Sequence, residues 1–430
     1  MEIGKIGIGN YIKDSMRLFG KYANTQRQLT GLLDGLKPSY RRTIYSYLVS
    51  HKDNNLIKSA EVVGTTIGKF HPHGDKSVAP IITELVKRGI FLGQGNFGAT
   101  FLDGQKLGAA AVRYTEVQMN PTYLKMFNKV MKYVPKVRSE QGHLMPEYIP
   151  TPIPFALVTG SFGLGIGINT RQPMLDPVSL MEAKINDDPK LLKAPEGVTL
   201  NIEKSELDAL WTTGKGRLFY EMKAYTGNNE GDFGIFIEGN PDVFTPRIPK
   251  SIRSEIKRGR LYIIDLSNKE GNKLFIGRNK GVRGINFNEL IEEVKEGATY
   301  KRHFNLNVTN GESCYLIPMR EWIGSCMDNY LSLLEDWKSD NLNKINWRIK
   351  IFNAFDKVVE CLLEDTTRSD EFIAKRTDTP LEVVKDIMQK TISSLRRTDA
   401  AKELKKLTDK KSEVEAINLR EEIIQDIRSL

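Results

Sequence analysis

The run KSAEVVGTTIGKFHPHGDKSVAPIITELVKR, from Lys58 to Arg88, reads as two helices broken at HPHGD, a turn-rich interruption. Towards the N-terminus, Pro38 opens another helix (SYRRTIYSYLVS), because proline is tolerated in the first turn, where its missing N–H has no partner to lose. Tyr11 to Tyr22 is an amphipathic stretch. Residues 1–130 therefore read as short helices joined by Gly/Pro turns, compatible with a helix-turn-helix or winged-helix module.

Residues 131–180 carry many prolines and then LVTGSFGLGIGIN, whose alternating glycines suit a strand that something approaches closely. A GxGxG phosphate loop would need a following helix and GK[ST], and neither is there. Residues 181–310 mix strand-like alternations (RLFYEMKAY, GIFIEG, RLYIIDLS, KLFIGR) with charged helices such as PKSIRSEIKRGR, an α/β or α+β insert. From about 325 the pattern turns helical. Ile345, Ile349, Phe352, Phe355, Val359, Leu362 and Leu363 recur at helical spacing, as do Ile392, Leu395, Leu404, Leu407, Val414, Ile417, Ile424 and Ile427. Two such blocks about 25 residues apart fit an antiparallel coiled-coil arm with a small head. An ordinary helical bundle fits the same periodicity.

The net charge is +9, and residues 1–120 hold 16 Lys/Arg against 9 Asp/Glu, so 7 of the 9 net charges lie there. Such a concentration suits a polyanionic partner, although a solvated basic face gives the same count. Three cysteines without a CxxC pair are too sparse for a disulfide framework or a zinc site. No run of about 18 apolar residues predicts a membrane span, and MEIGKIGIGN lacks the features of a secretory signal. A cytoplasmic location is expected.

Periodicity cannot choose a nucleophile among 15 tyrosines. Local sequence can. Arg27 followed by DGLKPSYRR (Asp34 to Arg42), KSAEVVGTTIGKFHPHGD (Lys58 to Asp75), and GQGNFG (Gly93 to Gly98) followed by AAAVRYTE (Ala109 to Glu116) together resemble the breakage-reunion region of type IIA DNA topoisomerases, the DNA gyrase A-subunit family. IPTPIPFALVTGSFGLGIGIN (Ile149 to Asn169) is a looser match. Within the family the chain most resembles the T-even phage form, which splits the machinery among separate chains. The resemblance implies an α+β multidomain protein. Its expected parts are a winged-helix (CAP-like) DNA-cleavage domain at 1–130, an α/β tower domain at 131–315, and a coiled-coil and C-gate dimerisation region at 316–430.

The same resemblance makes Tyr114 the nucleophile and Arg113 its transition-state partner. His71 is expected to donate to the phosphate or polarise the leaving oxygen, with His73 close to the DNA, and Arg27 to complete the anion-binding cluster from the subunit's own helix. Lys37, Arg41, Arg42 and Lys69 would contact backbone phosphates, with Lys76 also on the DNA, and Leu164 would be an aliphatic wedge that bends the duplex. From the residues alone, HPHGD is equally a metal half-site lacking its other ligands or a turn satisfied locally. The family's acidic metal cluster and its nucleotide site have no counterpart here. Mg²⁺ and ATP are therefore expected on separate partner subunits, with double-stranded DNA and a second copy of the chain as further partners.

Some positions depart from the family pattern. Leu33 replaces an arginine, Tyr40 a histidine, Lys76 a serine and Pro80 an acid. The last two ordinarily anchor a quinolone's bridging water, so a weak quinolone response is expected. Without a DNA-wrapping C-terminal domain, relaxation and strand passage are expected in place of negative supercoiling. A binding-only winged-helix protein is the competing class, and it need not keep Arg113, Tyr114, His71 and Arg27 together. A tyrosine recombinase would want its tyrosine in a C-terminal helical domain.

Overall fold

The computed structural model describes residues 7–50, 53–201, 204–268, 271–364, 368–389 and 400–429. By internal contacts the chain forms two compact units. One comprises residues up to Tyr330 together with the segment from Ile424, and the other runs from Leu331 to Ile423.

In the first unit, helices Pro38–Ser50, Ser59–Thr65 and Asp75–Lys87 pack with one another. A three-stranded antiparallel sheet adjoins them, in the order Ile57–Lys58, Glu116–Met119, Phe91–Gln94. The break expected at HPHGD is present: the preceding helix ends at Phe70 and the next begins at Asp75, whose carboxylate lies in the first turn. That helix buries Val78, Ile81, Ile82 and Leu85 on one face, each worth roughly 1.5–3 kcal/mol of transfer free energy. Two five-residue π-helical turns, Asn24–Gln28 and Thr66–Phe70, carry wide i to i+5 bonds from Leu29 N to Asn24 O (3.0 Å) and from His71 N to Thr66 O (2.7 Å). Such bulges recur at functional sites, and here each stands next to a histidine or arginine of interest.

The insert contributes to two antiparallel sheets, one of which also takes in the two strands that precede it. A five-stranded sheet has the order Thr199–Asn201, Lys215–Glu221, Thr299–Asn305, Asn169–Gln172, Ser161–Leu164. A four-stranded sheet has the order Lys223–Asn229, Asp232–Gly239, Asn272–Arg278, Leu261–Asp265. The expected single alternation RLFYEMKAY is in fact shared between them. It is cut at Met222, which is buried and bonds through its N–H to Ala298 O at 2.9 Å, so the chain changes sheets there. Thr30–Gly31 pairs in parallel with Val308–Thr309, and Trp322, fully buried, donates Nε1–H to Leu32 O at 2.8 Å. The N-terminal segment is thereby fastened to the far end of the insert.

The long helix Met319–Glu364 starts a few residues before the predicted point. In the second unit Ile345 packs with Leu407 and Val414, flanked by Leu342, Ile349 and Phe352. Lys338 Nζ reaches the carbonyls of Glu415 and Ile417, so the helix Ala400–Ala416 runs antiparallel to it. Phe355 and Val358 form a second cluster with Ile373 of helix Asp370–Thr377 and Val383, Val384 and Ile387 of helix Leu381–Gln389, a small helical head. The predicted periodic positions Ile392 and Leu395 lie outside the described residues.

Candidate functional site

The HPHGD break places two imidazoles face to face. His71 and His73 stack with centroids 4.0 Å apart, the turn being closed by His73 N donating to His71 O at 2.7 Å. Arg42, buried on the helix Pro38–Ser50, sets its Nη1 2.8 Å from His71 Nδ1. A guanidinium can only donate, so Nδ1 must accept and the proton of the neutral ring sits on Nε2. Burial, then His73, Arg42 and Arg27, push His71 down to about 4. The ring is thus held neutral with an N–H to offer, not as a general base awaiting a proton. Arg27, exposed on its π-turn, stands over the Tyr22 ring at 5.4 Å and is near enough to act electrostatically on both His71 and Arg42. Arg42 Nε and His73 Nδ1 are buried with no hydrogen-bond partner among the described residues. The group is a cationic, under-satisfied donor cluster, which is what an incoming anion requires.

Tyr114 lies in a short turn before the strand Glu116–Met119, and its side chain is 65% exposed. The backbone around it is fixed. Ser59 N donates to Thr115 O (2.9 Å), Ala60 N to Val112 O (3.2 Å), and buried Thr115 Oγ1 to Ser59 Oγ (2.8 Å). Gly95, at φ +110°, allows the GQGNFG loop to pass under this turn, where a Cβ would stand 3.2 Å from Tyr114 O. Arg113 lays its guanidinium over the phenol ring, 4.5 Å from the centroid. An exposed side chain on a clamped backbone suits an attacking group. Among the described residues, no hydrogen bond, ion pair or ring contact joins the Arg113–Tyr114 pair to the His71 cluster.

The other predicted cations divide. Lys69 and Lys76 are exposed. Arg41 is committed to the fold: its Nε and Nη2 lie 2.6 and 3.0 Å from the two oxygens of fully buried Asp34, which also accepts from Leu36 N and Ile149 N. That turns most of its fork away from solvent, a departure from its expected place on the phosphates. Lys37 donates to Phe162 O at 2.6 Å and lines a cavity of about 320 Å³ with Tyr40, Glu84 and Arg88. Tyr40 faces this cavity, its phenol pushed up to about 12 by burial and the Glu84 carboxylate.

Leu164 projects from the hairpin Ser161–Leu164/Asn169–Gln172 and is 66% exposed. Gly163 is buried, so the strand's period of two puts Phe162 on the same exposed face as Leu164, and Ile166 is exposed in the hairpin turn that follows. Arg171, cross-strand from Phe162, covers that ring at 4.7 Å. Strand alternation in the quoted glycine run could have identified Phe162, whereas Ile166 lies in the hairpin turn. Asn24, which holds the hairpin turn, carries no such signal. Among the described residues no group of three or more His, Cys, Asp or Glu could hold a metal ion, and no helix is long and apolar enough to cross a membrane.

An exposed phenol under a guanidinium, a cationic donor cluster and an exposed apolar knob are groups suited to a phosphodiester backbone and a base stack. Comparison with known proteins points the same way. Residues 27–429 match the family described as the DNA gyrase/topoisomerase IV A-subunit. The DNA gyrase A-subunit of Brachyspira hyodysenteriae is 25% identical over 95% of this chain and 53% of its own length. That of Clostridium acetobutylicum is 30% identical over 66% of this chain and 36% of its own. The DNA topoisomerase 4 A-subunit of Rickettsia prowazekii is 32% identical over 55% and 34%. The chain thus spans about half the length of the first of these relatives and less of the others.

Proposed function

The chain belongs to the DNA gyrase/topoisomerase IV A-subunit family, and from that premise we propose that it is the DNA-cleaving and rejoining subunit of an ATP-dependent type II DNA topoisomerase. Tyr114 Oη attacks a backbone phosphorus, forming a 5′-phosphotyrosine while the bond to the 3′ oxygen breaks. The phenol gives up its proton and the released 3′ oxygen takes one up. One phosphoester replaces another of similar energy, so rejoining needs no new chemical input. Arg113 meets the charge that develops on phosphorus, and the neutral His71 offers Nε2–H to the phosphate or the leaving oxygen. Arg27 and Arg42 supply positive field, and Lys69, Lys76 and His73 hold the duplex by its backbone without reading its sequence.

One tyrosine opens one strand, so a double-strand break takes a two-fold homodimer. Each copy then brings its own Tyr114 and its own cationic cluster to the DNA. The helical region towards the C-terminus serves as the second dimer contact, an exit gate. Mg²⁺ and ATP are assigned to separate partner subunits, following the T-even phage pattern. The setting is phage DNA replication in the host cytoplasm, with relaxation and decatenation as outcomes. A winged-helix cleavage domain, a tower and a coiled-coil gate are the corresponding parts of the fold.

The observation that carries this reading is the exposed Tyr114 phenol on a hydrogen-bonded turn with Arg113 over its ring. Interlocked DNA circles, incubated with this chain, its partner subunits, ATP and Mg²⁺, should separate. Arg113→Ala should slow the reaction by about 10²–10³-fold, as loss of one transition-state donor does. Circles that stay linked with all components present, or a variant as fast as wild type, would count against it.

A further inference from the structure

Resting on the reading of Leu164 as the DNA-bending wedge, we propose that Lys37 and Asn24 are positioning residues that bracket it, holding its strand two residues before and two residues after the exposed leucine. On the near side, Lys37 Nζ donates to Phe162 O at 2.6 Å. On the far side, the carboxamide of buried Asn24 grips Ile166 twice: Ile166 N donates to Oδ1 at 2.8 Å, and Nδ2 donates to Ile166 O at 3.0 Å. A carboxamide read in both directions by one residue's backbone fixes position and orientation together. Between the clamps, Gly163 and Gly165 let the strand lie on the π-turn, since a Cβ on either would overlap Gln28 O or Asn24 Oδ1. That turn also carries Arg27, so the wedge and the cationic cluster are registered to one piece of backbone.

Lys37 is the residue whose role changes. A lysine that tracks phosphates keeps its ammonium free for them, whereas this one spends a donor on Phe162 O, lines a cavity beside Tyr40 and Glu84, and has its pKa lowered by burial. A wedge held rigid before contact loses little freedom on insertion, the general advantage of preorganisation.

The two roles predict different numbers. Binding of a labelled duplex of about 20–30 base pairs is followed at several salt concentrations, and end-to-end energy transfer reports bending. Removing one phosphate contact lowers the slope of log affinity against log salt by about 0.9. For Lys37→Met the bracket predicts a slope within about 0.3 of wild type and bending reduced at least two-fold at saturation. Asn24→Ala should behave alike. Because Asn24 is buried, its variant is checked by urea unfolding, and Lys37→Met decides alone if Asn24→Ala is unfolded. Leu164→Ala separates the layers. If it bends DNA normally, the wedge reading falls and takes the bracket with it. If it fails to bend while Lys37→Met bends normally, or if Lys37→Met loses a full contact's slope, the bracket alone is overturned.

Discussion

Arg42 Nη1 lies 2.8 Å from His71 Nδ1, a contact that fixes which nitrogen of His71 carries its proton. Burial, then His73, the same guanidinium and Arg27 oppose any second proton. Nitrogen-detected NMR should therefore show His71 as the neutral Nε2–H form, titrating near 4. Arg42→Met should move it upward without restoring the ordinary value, because burial and His73 remain. A wild-type His71 that titrates at its ordinary value would refute the assignment.

The same group predicts a direction for stability. In the unfolded chain His71 takes up a proton near 6.5, in the folded chain only near 4. Between those values the unfolded state binds more protons, so this contribution to stability is lost as pH falls from 6.5 to 4 and is constant above. Urea unfolding of wild type and His71→Gln across this window should show the wild type losing stability faster on acidification. Parallel curves would contradict it.

Asp34 is the other half of the anchor beside this site. Asp34→Ala would leave the Arg41 guanidinium, mostly buried, facing no carboxylate, and would free Leu36 N and Ile149 N. Breaking a buried pair from one side costs about 3–5 kcal/mol. A urea-derived loss below about 1 kcal/mol would place the pair among ordinary surface bridges.

Adjacent hairpin positions should respond in opposite ways. Gly163→Ala forces a methyl against Gln28 O and should destabilise by about 1–3 kcal/mol. Leu164→Ala, at an exposed position, should stay within about 0.5 kcal/mol. Thermal unfolding of both variants checks this, and equal losses would mean the leucine is part of the core.

Much of the framework was legible because local chemistry dictates it. Pro38 opens its helix and HPHGD ends one helix and begins another, for reasons carried by those residues themselves. The helical spacing of Ile345, Leu407 and Val414 marks them as buried positions in the same way, while their antiparallel pairing was one of two arrangements it allowed. What escaped depends on partners distant in sequence. Met222 divides one alternation between two sheets because Ala298 meets it there. The fold partners of Arg41 and Lys37, Asp34 and Phe162 O, leave no local mark beside these two cations in the sequence. Asn24 is one polar residue in a helical stretch, and its partner is 142 positions away.

The phenolic oxygen of Tyr114 carries the central claim, so the most direct measurement removes that oxygen alone. Plasmid is incubated with this chain, its partner subunits and Mg²⁺, quenched with denaturant, and assayed for protein-linked breaks. Wild type should give linear plasmid with this chain bound at the 5′ ends. Tyr114→Phe should give none, while holding DNA with affinity close to wild type. Protein-linked breaks from Tyr114→Phe at the wild-type level would contradict the account.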